Sequence, residues 1–323
     1  MRFNPDFAIG VRTETKESEM DVLVLRRRRV GVFWGGPSSE RIVSAKSRAA
    51  VQASLTRLGV NHVALDLTPH VCERIRQEKI NLAFLVTHGA FGEDGRLQGL
   101  LDILKIPYTG SGVLASALAM HKPSAKQLFA SAGLPTPKWV VLRKGEKWAG
   151  FSGPLVVKPA SQGSAVGVCM VRKGSGLREA LTKTWVFDKE ALVEKRVVGT
   201  EITVGVYDGQ SWPVVEIVPK HEFYDFHSKY TKGGSRHVVP ARISARSTVL
   251  AQELAVKAHN VLGCRHMSRV DMIVDKTGQP TILEVNTLPG LTPTSLFPDA
   301  AKAAGMDFDA LVVGLLTMAL RNS

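Results

Sequence analysis

The sequence lacks most of the features that mark common functional classes. Only three cysteines occur in 323 residues, Cys72, Cys169 and Cys264, and they lie far apart. That excludes a disulfide framework or a cysteine metal clip. Scattered thiols of this kind fit a reducing cytoplasm, where they act as small buried hydrophobes. No apolar run approaches the roughly 18 residues of a membrane-spanning helix. The longest, Leu311 to Leu320, is interrupted by Gly314 and Thr317. Gly-Lys never occurs, so there is no Walker A loop. The G-x-G-x-x-G, H-E-x-x-H and G-x-S-x-G patterns are missing too. A P-loop enzyme, a dinucleotide dehydrogenase, a zinc protease and an elbow-type serine hydrolase are therefore excluded. No internal repeat or low-complexity tract is present. What remains is an ordinary globular composition, 44% apolar and 22% charged.

One charge sign is in excess, with a formal net charge of +13. Its distribution is uneven. Residues 1–29 and 30–121 each carry +2, residues 122–198 carry +9, and 199–323 carry none. A nucleic-acid-binding protein would interleave stacking aromatics with its basic residues. Aromatics make up only 7% of this chain and are not so placed. We expect no nucleic-acid or membrane partner, and an anionic small molecule near residues 122–198.

The fold class reads as α/β and α+β in three units after a leader. Residues 1–29 are mixed polar, end in Arg26 to Arg29, and predict an extension without fixed structure. Residues 30–121 alternate strand and helix: strands at Val30–Trp34, Val60–Leu67 and Leu82–Val86, helices after Arg41, near Val71 and over Arg96–Leu104. That alternation predicts a parallel sheet, with ligands at the carboxyl ends of its strands. Residues 122–198 predict a small unit with strands at Leu155–Lys158, Val168–Val171 and Ala191–Arg196 and a helix near Leu177–Thr184. Residues 199–323 predict strands, a helix over Thr248–Leu262, a hairpin and two terminal helices.

The hairpin carries the sharpest chemical signal. Arg265–Asp275 and Pro280–Thr287 alternate in polarity around a turn containing Gly278. Symmetric pairing sets Asp271 opposite Glu284 and Arg269 opposite Asn286, on one polar face. Val270, Met272, Val274, Leu283 and Val285 then form the buried face. Two carboxylates facing across a ladder repel. Either Arg269 offsets them, or a cation does. The oxygen set suits Mg²⁺, which takes its remaining ligands from phosphate and water.

Small residues between two strands, Ser161 to Gly167, would let backbone N–H groups approach phosphate oxygens. Lys158 and Lys195 end apolar strands, which favours internal, ligand-facing roles for both. Lys122 is less distinctive by itself.

Together these motifs resemble the D-alanine–D-alanine ligase family of ATP-grasp enzymes. In family order they are GGPSSER at Gly35, HGAFGEDGRLQG at His88, YTGSG at Tyr108, KPASQGSAVG at Lys158 and EK at Glu194. FYDFHSKY at Phe223, GCRHMSRVDM at Gly263 and LEVNTLPGLTPTSL at Leu283 complete the series. The resemblance spans Val30 to Asn322 and implies a three-domain ATP-grasp architecture. ATP would lie between the central and carboxy-terminal domains, held by Lys122, Lys158, Glu194, Lys195 and Glu201. Two Mg²⁺ ions, with Mn²⁺ able to substitute, would be bound by Asp271, Glu284 and Asn286. Glu40 would hold the ammonium of a first D-alanine, near Val43 and His88. Arg269 and the Gly290 N–H would stabilise a tetrahedral oxyanion, and Ser295 and Leu296 would seat a second D-alanine. Glu40, Ser164 and Tyr230 would form a closing link with the loop around Lys229, and residues 224–234 would supply a lid. Tyr230 marks D-alanine rather than D-lactate as acceptor. The implied product is D-alanyl-D-alanine for peptidoglycan synthesis, made by a cytoplasmic homodimer. The alternative is another ATP-grasp carboxylate–amine or carboxylate–hydroxyl ligase. His121 departs from the family's aspartate before the first lysine, and the leader has no family counterpart.

Overall fold

The computed structural model describes residues 16–38, 40–172, 176–219 and 235–321. Lys229, Tyr230 and the expected lid lie outside the described residues. Helix α1 (Lys16–Arg26) precedes β1 (Val30–Trp34), α2 (Arg41–Arg57), β2 (His62–Asp66), α3 (Val71–Gln77) and β3 (Leu82–Leu85). The three strands pair in parallel in the order β2-β1-β3. Every residue of β3 is buried, as expected for a strand covered on both faces.

The leader expectation is corrected over residues 16–26. Residues 16–26 are helical, and Leu25 is fully buried in the amino-terminal core. Its apolar residues run together from Val22 to Leu25, with Leu23 and Val24 exposed, so they offer no helical stripe to read. The segment becomes structural because the last helix of the chain packs against it.

Next come α4 (Arg96–Ile103), α5 (Val113–Met120) and α6 (Lys122–Ser131), the last with Pro123 in its first turn. The central sheet has the order β4-β7-β5-β6, formed by β4 (Trp139–Arg143), β5 (Leu155–Pro159), β6 (Cys169–Val171) and β7 (Glu190–Lys195). Helix α7 (Leu177–Thr184) covers it, and residues between 142 and 193 share a separate core.

The third sheet comprises β8 (Thr200–Tyr207), β9 (Gln210–Ser211), β10 (Val215–Pro219), β11 (Ser235–Val238), β12 (Met267–Val274) and β13 (Pro280–Asn286). Helix α8 (Ala245–Val261) lies on it through Ala251, Leu254, Ala255 and Ala258, and the three alanines permit close approach. Its N-cap Ser244 accepts a hydrogen bond from the Ser247 N–H. Phe129 of α6 packs into the same core. Helices α9 (Leu296–Ala303) and α10 (Phe308–Arg321) close the chain, and α10 buries Leu311, Leu315 and Leu316 in the amino-terminal core.

Residues opposite each other on the hairpin β12–β13 are as expected near the site: Arg269 with Asn286, Val270 with Val285, Asp271 with Glu284. The register then shifts, and Met272 faces Ile282. That bulge corrects one assignment. Ile282 is fully buried, whereas Leu283 is only half-buried and turns to the polar face. An extra residue in one strand re-aims the side chains beside it.

Candidate active site

A cavity of about 450 Å³ lies between the central sheet and the β12–β13 hairpin. Val156, Val168, Met170, Ile273 and Leu283 give it apolar walls, while Lys122, Lys158, Glu194, Lys195, Glu201, Asp271 and Glu284 bring charge. The sequence-expected nucleotide residues are thus gathered in one cleft. They are not equivalent. Lys158 is buried at the strand end, and its Nζ lies 2.6 Å from Glu194 Oε2. Lys195 is exposed at the very end of β7, on the opposite face of the strand from Glu194. Its expected internal position is therefore corrected to the open wall of the cleft.

Glu194 does more than line the cavity. Its Oε1 lies 2.6 Å from the Nζ of Lys126, a residue that sequence reasoning missed. Lys126 is 1% exposed, reads in sequence as an ordinary helix lysine, and donates to Thr136 Oγ1. Burial works against charge on Glu194, but Lys158 and Lys126 outweigh it and hold the carboxyl below its ordinary value. Burial likewise opposes charge on Lys158, yet Glu194 keeps that ammonium above its usual value. Lys126 is pushed down to about 8, chiefly by burial.

At the hairpin, Arg269 donates from Nε and an Nη to the two Asp271 oxygens at 2.9 and 2.8 Å. Thr203 Oγ1 and Asn286 Nδ2 also donate to Asp271, at 2.7 and 3.1 Å. Glu284 lies 3.6 Å from Lys122 Nζ. Each facing carboxylate therefore has its own cation, Arg269 or Lys122. Among the described residues no group of three or more His, Cys, Asp or Glu is disposed to hold a metal. Two carboxylates and an amide cannot enclose an ion, but they fit a hard divalent cation that completes its shell from phosphate and water.

The small-residue loop reaches across to the first unit. Ser164 Oγ donates to Glu40 Oε1, and Glu40 is 6% exposed. A side chain at Gly163 would put Cβ 2.7 Å from Glu40 Oε2, so any larger residue there must displace that carboxylate. Ser164 and Ala165 have φ of 52° and 57°, and the Val166 N–H closes the turn on the Gly163 carbonyl. Two non-glycine residues in this region imply a backbone held by its surroundings. Lys122 Nζ donates to the Gln162 carbonyl at 2.6 Å and anchors the same loop.

Val43 and His88 are buried near Glu40. His88 Nδ1 lies 3.5 Å from Glu93 Oε1, and its Nε2 lies 3.4 Å from Ser47 Oγ. Burial opposes charge on His88, but Glu93 and Glu40 hold its pKa above the ordinary value. Burial also raises Glu93, whose other oxygen accepts the Gly89 N–H at 2.7 Å. Neither Glu93 nor Ser47 was foreseen. Ser47 Oγ in turn accepts the Leu291 N–H at 3.2 Å, tying α2 to the loop that contains Gly290. In that loop Ser295 Oγ accepts the Thr292 N–H at 3.1 Å, and a Cβ at Gly290 would meet it at 2.9 Å. Leu296 is 6% exposed and packs its side chain in the core. His121 is engaged by Ser124 and Glu190, at 2.7 and 3.2 Å, outside the cavity.

Comparison with known proteins places this geometry. A family model for the D-ala D-ala ligase C-terminus matches residues 128–317, and one for the D-ala D-ala ligase N-terminus matches residues 69–111. The D-alanine–D-alanine ligase of Trichlorobacter lovleyi is 47% identical over 293 residues, 89% of this chain and 94% of that protein. That of Citrifermentans bemidjiense is 46% identical over 301 residues, covering 93% and 99%. The crystal structure of the Bacillus anthracis D-alanine–D-alanine ligase complexed with ATP superposes with a TM-score of 0.81. It is 33% identical and covers 91% of this chain and 98% of its own.

Proposed function

The chain belongs to the D-alanine–D-alanine ligase family, and from that premise we propose how its own residues carry out the reaction. The enzyme joins two D-alanine molecules with ATP, releasing ADP and phosphate, in peptidoglycan precursor synthesis. A carboxylate is a poor acyl donor. The first D-alanine therefore takes the γ-phosphoryl group to become an acyl phosphate, and the amine of the second displaces phosphate.

The observation that carries this reading is the junction of the lysine-lined cleft, the Asp271–Glu284 pair and the Glu40–Ser164 contact. Val156, Met170 and Leu283 would flank the base, with Lys195 and Glu201 at the wall. Lys122 and Lys158 would face the phosphates. A divalent cation, when bound by Asp271, Glu284 and Asn286, supplies charge neutralisation at the transferring phosphoryl group. Glu40 would bind the first ammonium, with Val43 and the His88–Glu93 pair beside it. Arg269 and the Gly290 N–H would face the developing oxyanion, where fixed donors act most strongly. Ser295 and the Leu296 backbone would orient the second D-alanine. Lys229 and Tyr230 would complete the link to Glu40 and Ser164 and exclude water.

Further parts of the proposal are two Mg²⁺ ions replaceable by Mn²⁺, a homodimer, a cytoplasmic location, and units divided near residues 122 and 199. The fold adds packing of α6 and α10 across those divisions. Among the described residues no single helix is long and apolar enough to cross a membrane.

Phosphate release with ATP, Mg²⁺ and D-alanine, against an L-alanine control, tests the reading. Release no faster than with L-alanine would overturn it. D-Alanine alone against D-alanine plus D-lactate near neutral pH separates the dipeptide product from the ester.

A further inference from the structure

The floor of the cleft contains a charge arrangement that the ligation steps do not use. Lys158 and Glu194 line the cavity, and Lys126 does not. Lys126 instead stands behind Glu194, at 2.6 Å, with its ammonium also donating to Thr136 Oγ1 and the Pro137 carbonyl. Thr136 Oγ1 donates onward to the Ile282 carbonyl of β13 at 3.0 Å. The buried ammonium thus sits where α6, β7 and the hairpin meet.

Charge balance gives this position a meaning. A buried carboxylate facing one lysine would cancel that lysine, and the pair would present no net charge to a polyanion. Glu194 divides its two oxygens between two ammoniums. The three groups together keep one unit of positive charge, and Lys158 is the member that faces the cleft. Removing a partner from a buried ion cluster leaves the remaining charges to re-pair.

We propose that Lys126 is a positioning residue that occupies the second oxygen of Glu194 and so keeps Lys158 available, as a net cation, to nucleotide phosphates. The inference rests on the cleft being the ATP site. Lys126 touches no ligand itself.

The groups that face Lys126 are Glu194 on β7, Lys158 on β5 and, through space, Glu284 on β13. Phosphates arriving at Lys158 add negative charge nearby and favour the protonated ammonium. Nucleotide binding near pH 8 is then accompanied by proton uptake at Lys126, which a purely structural lysine would not show.

The test is calorimetric titration of the full chain with ADP and Mg²⁺, without D-alanine, in buffers of different ionisation enthalpy. Lys126→Met should weaken ADP binding by roughly tenfold or more, the loss of one charge at short range. The KM for D-alanine should not change. The decisive variant is Lys126→Arg, which should retain ADP affinity and lose the proton uptake. It carries the test should K126M fail to fold. Wild-type affinity in K126M, or wild-type proton uptake in K126R, overturns the inference alone. A wild-type chain that binds no ADP overturns the nucleotide reading, and this inference with it.

Discussion

Replacing Leu283 by alanine separates two readings of the hairpin. On a regular ladder Leu283 would share the buried face with Val270 and Met272. The register shift after Asp271 instead turns it into the cleft and seats Ile282 in the core. Leu→Ala removes three carbons, worth about 2.4 kcal/mol if fully buried at about 0.8 kcal/mol each. Leu283 is half-buried, so roughly 1 kcal/mol of contact with a bound nucleobase is at stake, a five- to tenfold rise in KM for ATP. kcat should hardly move, since the contact is equal in ground and transition states. Ile282→Ala should do the reverse, costing about 2–5 kcal/mol of stability through a core cavity. Initial-rate phosphate release against ATP, at saturating D-alanine and Mg²⁺, reads the first effect. Urea unfolding midpoints read the second. Should L283A be the variant that loses several kcal/mol while its KM for ATP stays unchanged, the bulge assignment is wrong.

Asp271→Asn and Glu284→Gln should each abolish Mg²⁺-dependent turnover, and D271N should also lower the unfolding midpoint because it leaves the largely buried Arg269 without its carboxylate; full activity in either refutes the metal assignment. Gly163→Ala should push Glu40 off Ser164, because its Cβ would lie 2.7 Å from Glu40 Oε2. Its kinetics should show a raised KM for D-alanine and a nearly unchanged KM for ATP. His259 and His266 are both depressed by burial to about 4 and stay neutral in the fold. Their unfolded forms take up protons near 6.5. Stability is thus fully present above about pH 6.5 and falls by up to roughly 3 kcal/mol per histidine towards pH 4. Urea midpoints between pH 7 and 4 measure the slope, which a His259→Asn, His266→Asn pair should flatten.

The sequence disclosed the chemistry of the hairpin because a strand's two-residue period puts Arg269, Asp271, Glu284 and Asn286 on one face whatever else happens. It did not disclose the bulge, since no glycine or proline marks the shift between Asp271 and Met272. Lys195 sits at the open end of β7 and is exposed although Leu192, Val193 and Glu194 before it are all buried, so alternation along the strand did not reveal its exposure. Helices α5 and α6 and strand β4 went unforeseen. Val113–Met120 is apolar on nearly every side, so it offers no helical stripe to detect. Lys126 and Ser47 were invisible for a different reason. Each acquires its role from a partner on another element, Glu194 or Leu291, and local sequence does not encode such meetings. Glu93 meets His88 five residues away in the same loop, so that pairing lay within reach of the motif.

The packing of α10 on the first sheet has a consequence for synthesis on the ribosome. Strand β3 and helix α1 are made early, but the side chains that cover them, Leu311, Leu315 and Leu316, are translated more than two hundred residues later. The central unit owns its core between residues 142 and 193 and can finish while translation continues. The amino-terminal unit, although made before the central one, must wait with part of its apolar surface uncovered until residues 308–321 emerge. Order of synthesis and order of completion are therefore inverted, and a nascent chain stalled before residue 308 should be the chaperone-dependent one.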